Sequence, residues 1–197
     1  MVEVPMRSLL GVVLCGGKSS RMGRDKSTIR HADGRTFIEH AIARLQPLCN
    51  EVCIAGKAES QPDVPALPDP TPHQGPIFGV LQAIEYAATR FTAAGKHEAC
   101  LITPVDMPYL TAEDLKKIIS AWQLHDCLSC AICGPEKKRQ PLVAIYPVKL
   151  GPAVASHAKS DSSLMRWTEV QCAIEVPLAE SHCRNINRPI DLKQQDS

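Results

Sequence analysis

A chain of 197 residues, 44% hydrophobic and 22% charged, has ordinary globular composition and length for one sizeable core, hardly for two. Its formal net charge of +1 excludes a broad basic field for nucleic acid, so an anionic partner has to be held by a local group of cations. No apolar run approaches the roughly 18 residues of a membrane span, and residues 1–8 lack the charged, apolar, small order of a secretion signal. The expected setting is the cytoplasm, with neither nucleic acid nor membrane as partner.

In chain order, strand-like and helix-like stretches alternate, the pattern of an α/β fold with a mostly parallel sheet. Residues 9–15 are a continuous apolar run, as in a central strand buried on both faces. A polar, cationic loop follows from Gly16-Gly17 to Lys26. Residues 36–48 carry Phe37, Ile38, Ala41, Ile42 and Leu45 at helical spacing, with Thr36 as N-cap. Residues 51–55 read as a second strand, 61–76 as a proline-rich loop and 77–89 as a helix. Residues 100–105 form another buried strand, ending at Asp106-Met107-Pro108, and Thr111 opens a helix that runs to about 124. Strands are expected at 128–133 and 142–146, joined by the charged loop 134–140, which implies an antiparallel pair. A last strand is expected at 173–176, before the segment 185–192.

Nine cysteines, several inside apolar runs, do not suit a disulfide framework and read as small core residues of a reducing compartment. Cys127, Cys130 and Cys133 superficially suggest a metal or cluster site. A fourth cysteine at suitable spacing is missing, and the interleaved Leu128, Ala131 and Ile132 fit a buried strand. His97 and His125 lack ligand spacing and read as surface groups.

The richest stretch is Leu14-Cys15-Gly16-Gly17-Lys18-Ser19-Ser20-Arg21-Met22-Gly23-Arg24-Asp25-Lys26. It leaves the carboxyl end of a buried strand, where open α/β sheets bind ligands. Glycines let backbone N–H groups approach a phosphate, and Arg21 and Lys26 can neutralise a polyphosphate, whereas Lys18 and Arg24 read as solvated. Neither Gly-x-x-x-x-Gly-Lys-Ser/Thr nor Gly-x-Gly-x-x-Gly is present, so the two commonest phosphate loops are excluded.

This loop resembles the Leu-Ala-Gly-Gly-x-Ser-x-Arg-Met-Gly-x-Asp-Lys signature of the molybdenum cofactor guanylyltransferase family, with Cys15 in place of the usual Ala. Further segments follow in that family's order: Asp69 before Gly75-Pro76-Ile77-Phe78-Gly79, then Pro104 to Leu110 around Asp106, then Gln140-Pro141-Leu142. The ending Asn185-Ile186-Asn187-Arg188-Pro189-Ile190-Asp191-Leu192 is similar to the family's Asn-x-Asn-Thr-Pro-x-Asp-Leu. The resemblance implies a single Rossmann-like nucleotidyltransferase domain over residues 1–197, with helices on both faces of the sheet and one antiparallel strand. It implies transfer of GMP from GTP to the terminal phosphate of molybdopterin, with pyrophosphate released. Cofactor-delivery proteins are further implied partners.

The site residues divide by role. Asp106 ends a buried strand at the ligand edge, and its hard oxygens suit Mg²⁺, which takes few protein ligands beside phosphates and water. The resemblance likewise implies Mg²⁺ and nucleotide contact at Asp106. Lys26 grips phosphate and Arg21 the leaving pyrophosphate, since such transfer depends on positioning and charge neutralisation. Leu14, Cys15, Gly16, Gly17 and Asp69 complete the implied nucleotide site; the resemblance implies Asn187 as a contact to metal or acceptor, a position that reads equally as turn chemistry ahead of Pro189. In the broader superfamily that the resemblance implies, a pair such as Gly16-Gly17 goes with guanine or thymine rather than cytosine, glycine leaving room for the larger base. An asparagine usual in the family after the second strand is absent near Ala55. The triplet Lys137-Lys138-Arg139 reads equally as a clamp on the pterin phosphate or as a solvated turn. Two alternatives stay open: a cytidylyl or sugar-phosphate transferase, and a non-catalytic nucleotide-binding module.

Overall fold

The computed structural model describes residues 7–15, 26–31, 33–58, 63–67, 75–92 and 95–186. Its strands are β1 (Leu9–Leu14), β2 (Glu51–Ala55), β3 (Ala66–Leu67), β4 (Phe91–Thr92), β5 (Gly95–Lys96), β6 (Ala99–Pro104), β7 (Ser129–Cys133), β8 (Lys138–Pro147) and β9 (Ile174–Leu178). The helices are α1 (Phe37–Leu45), α2 (Pro76–Thr89), α3 (Ala112–His125), α4 (Gly151–Ala158) and α5 (Leu164–Val170). Seven strands make one sheet in the order β3-β2-β1-β6-β8-β7-β9, while β4 and β5 pair as a separate hairpin.

Strands β1, β2, β3 and β6 run parallel. Strand β8 is antiparallel to both β6 and β7, and β9 is parallel to β7. The carboxyl ends of β1, β2, β6, β7 and β9 therefore share one edge, and β8 starts there. This is the mixed, mostly parallel sheet expected, with β8 as its antiparallel member. The apolar run of β1 is explained by its place inside the sheet, because Leu9 and Val13 pack into one face's core and Leu10 and Val12 into the other's.

Helices cover both faces. Phe37, Ile38, Leu45, Leu115, Ile118 and Trp122 from α1 and α3 fill one core. Ile77, Val80, Ile84, Val154, Leu164 and Trp167 from α2, α4 and α5 fill the other. Thr36 with Glu39, and Thr111 with Asp114, close capping boxes at the starts of α1 and α3. The pattern predicts no helix at α4 or α5. Each is about two turns long and buries few large side chains, so its periodicity is weak.

Two local expectations fail. The charged loop expected at 134–140 is shorter, because β8 already begins at Lys138. A register shift opposite Cys130 and Ala131 absorbs Pro141, so the strand tolerates a residue that cannot donate to the ladder. His97 is no surface group: it is 3% exposed, with Nδ1 3.1 Å from the Ser8 hydroxyl and Nε2 3.3 Å from Glu51. The cysteine triplet behaves as expected. Cys130 packs into one core and Cys133 against the other, since residues three apart on a strand point to opposite faces.

Candidate active site

At the shared edge, the chain leaves β1 clamped between its two neighbours. The Cys15 amide donates to the Ala55 carbonyl at 2.8 Å, and the Val105 amide donates to the Leu14 carbonyl at 3.1 Å. Gly56, the first residue past β2, adopts φ +94°, and a Cβ on it would lie 1.9 Å from the Cys15 carbonyl oxygen. Only glycine permits this approach. Helix α2 also packs hard on the end of β1, because a Cβ on Gly79 would meet Leu14 Cδ2 at 2.8 Å. Gly75, at φ +105°, turns the chain into that helix ahead of Pro76.

Two charges meet beside this exit. Lys26 opens a 3₁₀ turn (Lys26–Thr28), and its Nζ donates to Asp106 Oδ2 at 2.7 Å. Their side chains are 19% and 21% exposed. Residues 80 positions apart in sequence are thus joined at the carboxyl ends of β1 and β6. Such a pair keeps both charges compensated while leaving them within reach of solvent.

The peptide around Asp106 is fixed by groups that spacing alone does not reveal. Arg44 of α1 donates from Nη1 to the carbonyls of Met107 at 2.9 Å, Pro108 at 3.2 Å and Leu110 at 2.5 Å. Burial pulls this guanidinium down to about 10, with Asp114 acting in the opposite sense, so it stays protonated at neutral pH. The Ile186 amide donates to the Asp106 carbonyl at 2.9 Å, and the Ile186 side chain is fully buried. The segment leading to Ile186 is itself anchored by His182, whose Nδ1 lies 2.8 Å from the buried Asp114 carboxylate.

Of the residues expected at the site, Leu14, Cys15, Lys26 and Asp106 are brought together. Gly16, Gly17, Arg21, Asp69 and Asn187 lie outside the described residues, as do Lys18 and Arg24. Arg44 and Gly56 are site residues missed by sequence reasoning. A glycine directly after a buried strand is a usable signal for Gly56, whereas nothing local marks Arg44. Farther along the same edge a cavity of about 520 Å³ opens, lined among others by Cys133, Lys138, Gln140, Glu180, Cys183 and Arg184. That size suits a small organic ligand. Of the basic triplet, Lys138 faces this cavity. Arg139 instead is tied to Glu175 at 2.9 Å and to the Thr168 carbonyl, which makes it a brace between β8, β9 and α5.

Asp106 has the donor chemistry for Mg²⁺: a hard carboxylate, part exposed, at the sheet's ligand edge. Among the described residues its recorded side-chain partner is Lys26.

A profile of the MobA-like NTP transferase domain matches residues 11–176. The chain belongs to this family. As a MobA-like NTP transferase it is a nucleotidyltransferase, and its curated relatives agree. The probable molybdenum cofactor guanylyltransferase of Rhodopirellula baltica is 37% identical over 194 residues, 93% of this chain and 90% of the relative. The molybdenum cofactor guanylyltransferase of Haemophilus influenzae is 28% identical over 195 residues, 95% of this chain and 97% of the relative. Among solved structures, molybdopterin-guanine dinucleotide biosynthesis protein A from Archaeoglobus fulgidus superposes with a TM-score of 0.72 at 19% identity, covering 94% of this chain and 95% of that one. A 2-C-methyl-D-erythritol 4-phosphate cytidylyltransferase from Francisella tularensis reaches 0.69 at 11% identity, covering 95% of this chain and 97% of that one. The fold is therefore shared by transferases of different bases and does not itself choose between them. Among the described residues, no helix is long and apolar enough to cross a membrane.

Proposed function

We propose that this MobA-like NTP transferase moves GMP from GTP onto the terminal phosphate of molybdopterin, acting as one nucleotidyltransferase domain in the cytoplasm. The observation that carries the reading is the Lys26–Asp106 pair at the mouth of the glycine-rich loop, taken with relatives named for guanylyl transfer. A purely structural ion pair has no need to stand at the end of a phosphate-type loop.

In this reading GTP lies across residues 14–26, with guanine beside Gly16 and the phosphates toward Lys26. On nucleotide binding Lys26 leaves Asp106 for the phosphates, where it and Arg21 stabilise charge on the departing pyrophosphate. Asp106 would hold Mg²⁺, which supplies charge neutralisation between the nucleotide and the incoming phosphate. Asp69 would contact the nucleotide and Asn187 the acceptor or metal. The acceptor pterin has room in the cavity near Lys138. Arg44 and Ile186 keep the Asp106 peptide still, and the stiffness matters because the chemistry consists largely of positioning.

The test is calorimetric titration of the protein with GTP, CTP, UTP and ATP in the presence of Mg²⁺. Selective GTP binding supports the reading. A preference for CTP would make a cytidylyltransferase the better account, and tight binding without turnover would favour a non-catalytic nucleotide module.

A further inference from the structure

Between Lys26 and α1 the chain makes a small strap that the transfer reaction leaves unused. A bridge between Arg30 and Thr36 closes it, the His31 amide donates to the Arg35 carbonyl at 2.8 Å, and Gly34 turns the tip at φ +86°. The tip presents His31 and Asp33, and α1 returns beneath it carrying His40 one turn past its cap. His40 Nε2 lies 2.9 Å from Asp33 Oδ1, and the His31 and His40 rings are 4.9 Å apart between centroids. One ligand atom from each of His31, Asp33 and His40 lies within 4.8 Å of the others.

We propose that His31, Asp33 and His40 form a binding site for a borderline transition-metal ion of the Zn²⁺ class. Two imidazoles with one carboxylate suit Zn²⁺, whereas Mg²⁺ and Ca²⁺ call for oxygen donors. Zn–N and Zn–O bonds of ~2.0–2.1 Å place tetrahedral ligand atoms roughly 3.3 Å apart. The Asp33–His40 pair, at 2.9 Å, lies close to this spacing, and the His31 donor lies within 4.8 Å of both. Arg35 Nε occupies Oδ2 at 2.9 Å and fixes the carboxylate with Oδ1 toward the two histidines. An outer partner that orients a ligating carboxylate in this way is usual in metal sites.

Side-chain exposure of 20% at His40 and 39% at Asp33 gives the ion an entry path. Three protein ligands leave a fourth position for water or an exogenous donor. The ion would staple the tip of the strap to α1, and the strap begins only a few residues after Lys26. The site does not depend on the identity of the nucleotide or acceptor, so its failure would leave guanylyl transfer untouched, and the converse also holds.

The experiment is a titration of chelator-stripped, phosphine-reduced protein with Zn²⁺ by calorimetry and with Co²⁺ by absorption. The chain's nine cysteines are the competing donors, and thiolate ligation announces itself by strong near-ultraviolet charge transfer that nitrogen and oxygen ligands lack. One equivalent should bind without that band. His31→Ala, His40→Ala and Asp33→Asn should each weaken it at least ~10-fold, since loss of even an outer-shell partner costs 10–100-fold. Circular dichroism checks that the variants are folded. Proton NMR of the wild type provides a second reading, in which Co²⁺ should displace the ring signals of two of the seven histidines. Absence of a bound equivalent, a thiolate band on it, or unchanged affinity in the folded His31→Ala/His40→Ala double variant would each overturn the proposal.

Discussion

Replacing Gly56 by Ala tests how tightly the exit from β1 into the glycine-rich loop is built. The added Cβ would sit 1.9 Å from the Cys15 carbonyl oxygen, against a practical minimum of 3.0 Å, so two backbones must part by at least ~1.1 Å. Neither is a flexible side-chain end. The Cys15–Ala55 hydrogen bond of 2.8 Å is the first contact to stretch. Positive φ at a non-glycine residue and loss of one backbone bond together cost roughly 2–4 kcal/mol, about 5–15 °C in melting temperature for a chain of this size. Displacing a reacting centre by about 1 Å costs around 10²-fold in rate. Gly95→Ala is the control: φ there is +99°, yet nothing among the described residues lies within 4 Å of the added carbon. It should show the φ strain alone and leave activity intact. Thermal melts, GTP affinity and turnover of both variants make the comparison. If Gly56→Ala melts like Gly95→Ala and turns over like wild type, the close approach does not shape the site.

Lys26→Ala should lower turnover by ~10²-fold or more while stability changes by no more than about 1 kcal/mol, because the ion pair is partly solvated; steady-state kinetics and urea unfolding check both halves. Arg44→Met strips donors from three carbonyls after Asp106; it should destabilise the fold by roughly 1–3 kcal/mol and reduce kcat more than it raises KM for GTP. Asp114 gives a pH signature. Burial raises its pKa, but hydrogen bonds from Thr111 and the charge of His182 outweigh it and leave the carboxyl below its ordinary value. Its stabilisation is thus fully present above the unfolded value of ~3.9 and is lost as pH falls through the lower folded value. The melting difference between wild type and Asp114→Asn should therefore be flat near neutrality and shrink below about pH 4.

Much of the fold could be read from local pattern. The run at 9–15, the acid-rich start after Thr111 and the glycines at 75 and 79 each follow from burial on two faces, capping or close helix packing. Lys26 and Asp106 were legible as strand-end and loop residues, and their pairing follows from β1 lying beside β6. Other features depend on distant partners and leave no local trace. Arg44 reads as one more helix cation because its carbonyl partners lie 63 to 66 positions away. His97 looks like a surface histidine until Ser8 and Glu51 enclose it. The charged start of β8 imitates a loop because Lys138 and Arg139 point into a cavity and an ion pair at the sheet's edge.

The most direct measurement is product formation from molybdenum-loaded molybdopterin, Mg²⁺ and an equimolar mixture of GTP and CTP, read by mass spectrometry with Asp106→Ala as control. The account predicts a guanine dinucleotide and pyrophosphate from the wild type, little cytosine product, and almost none of either from a folded Asp106→Ala. A dominant cytosine dinucleotide, or an undiminished guanine product from Asp106→Ala, would contradict it.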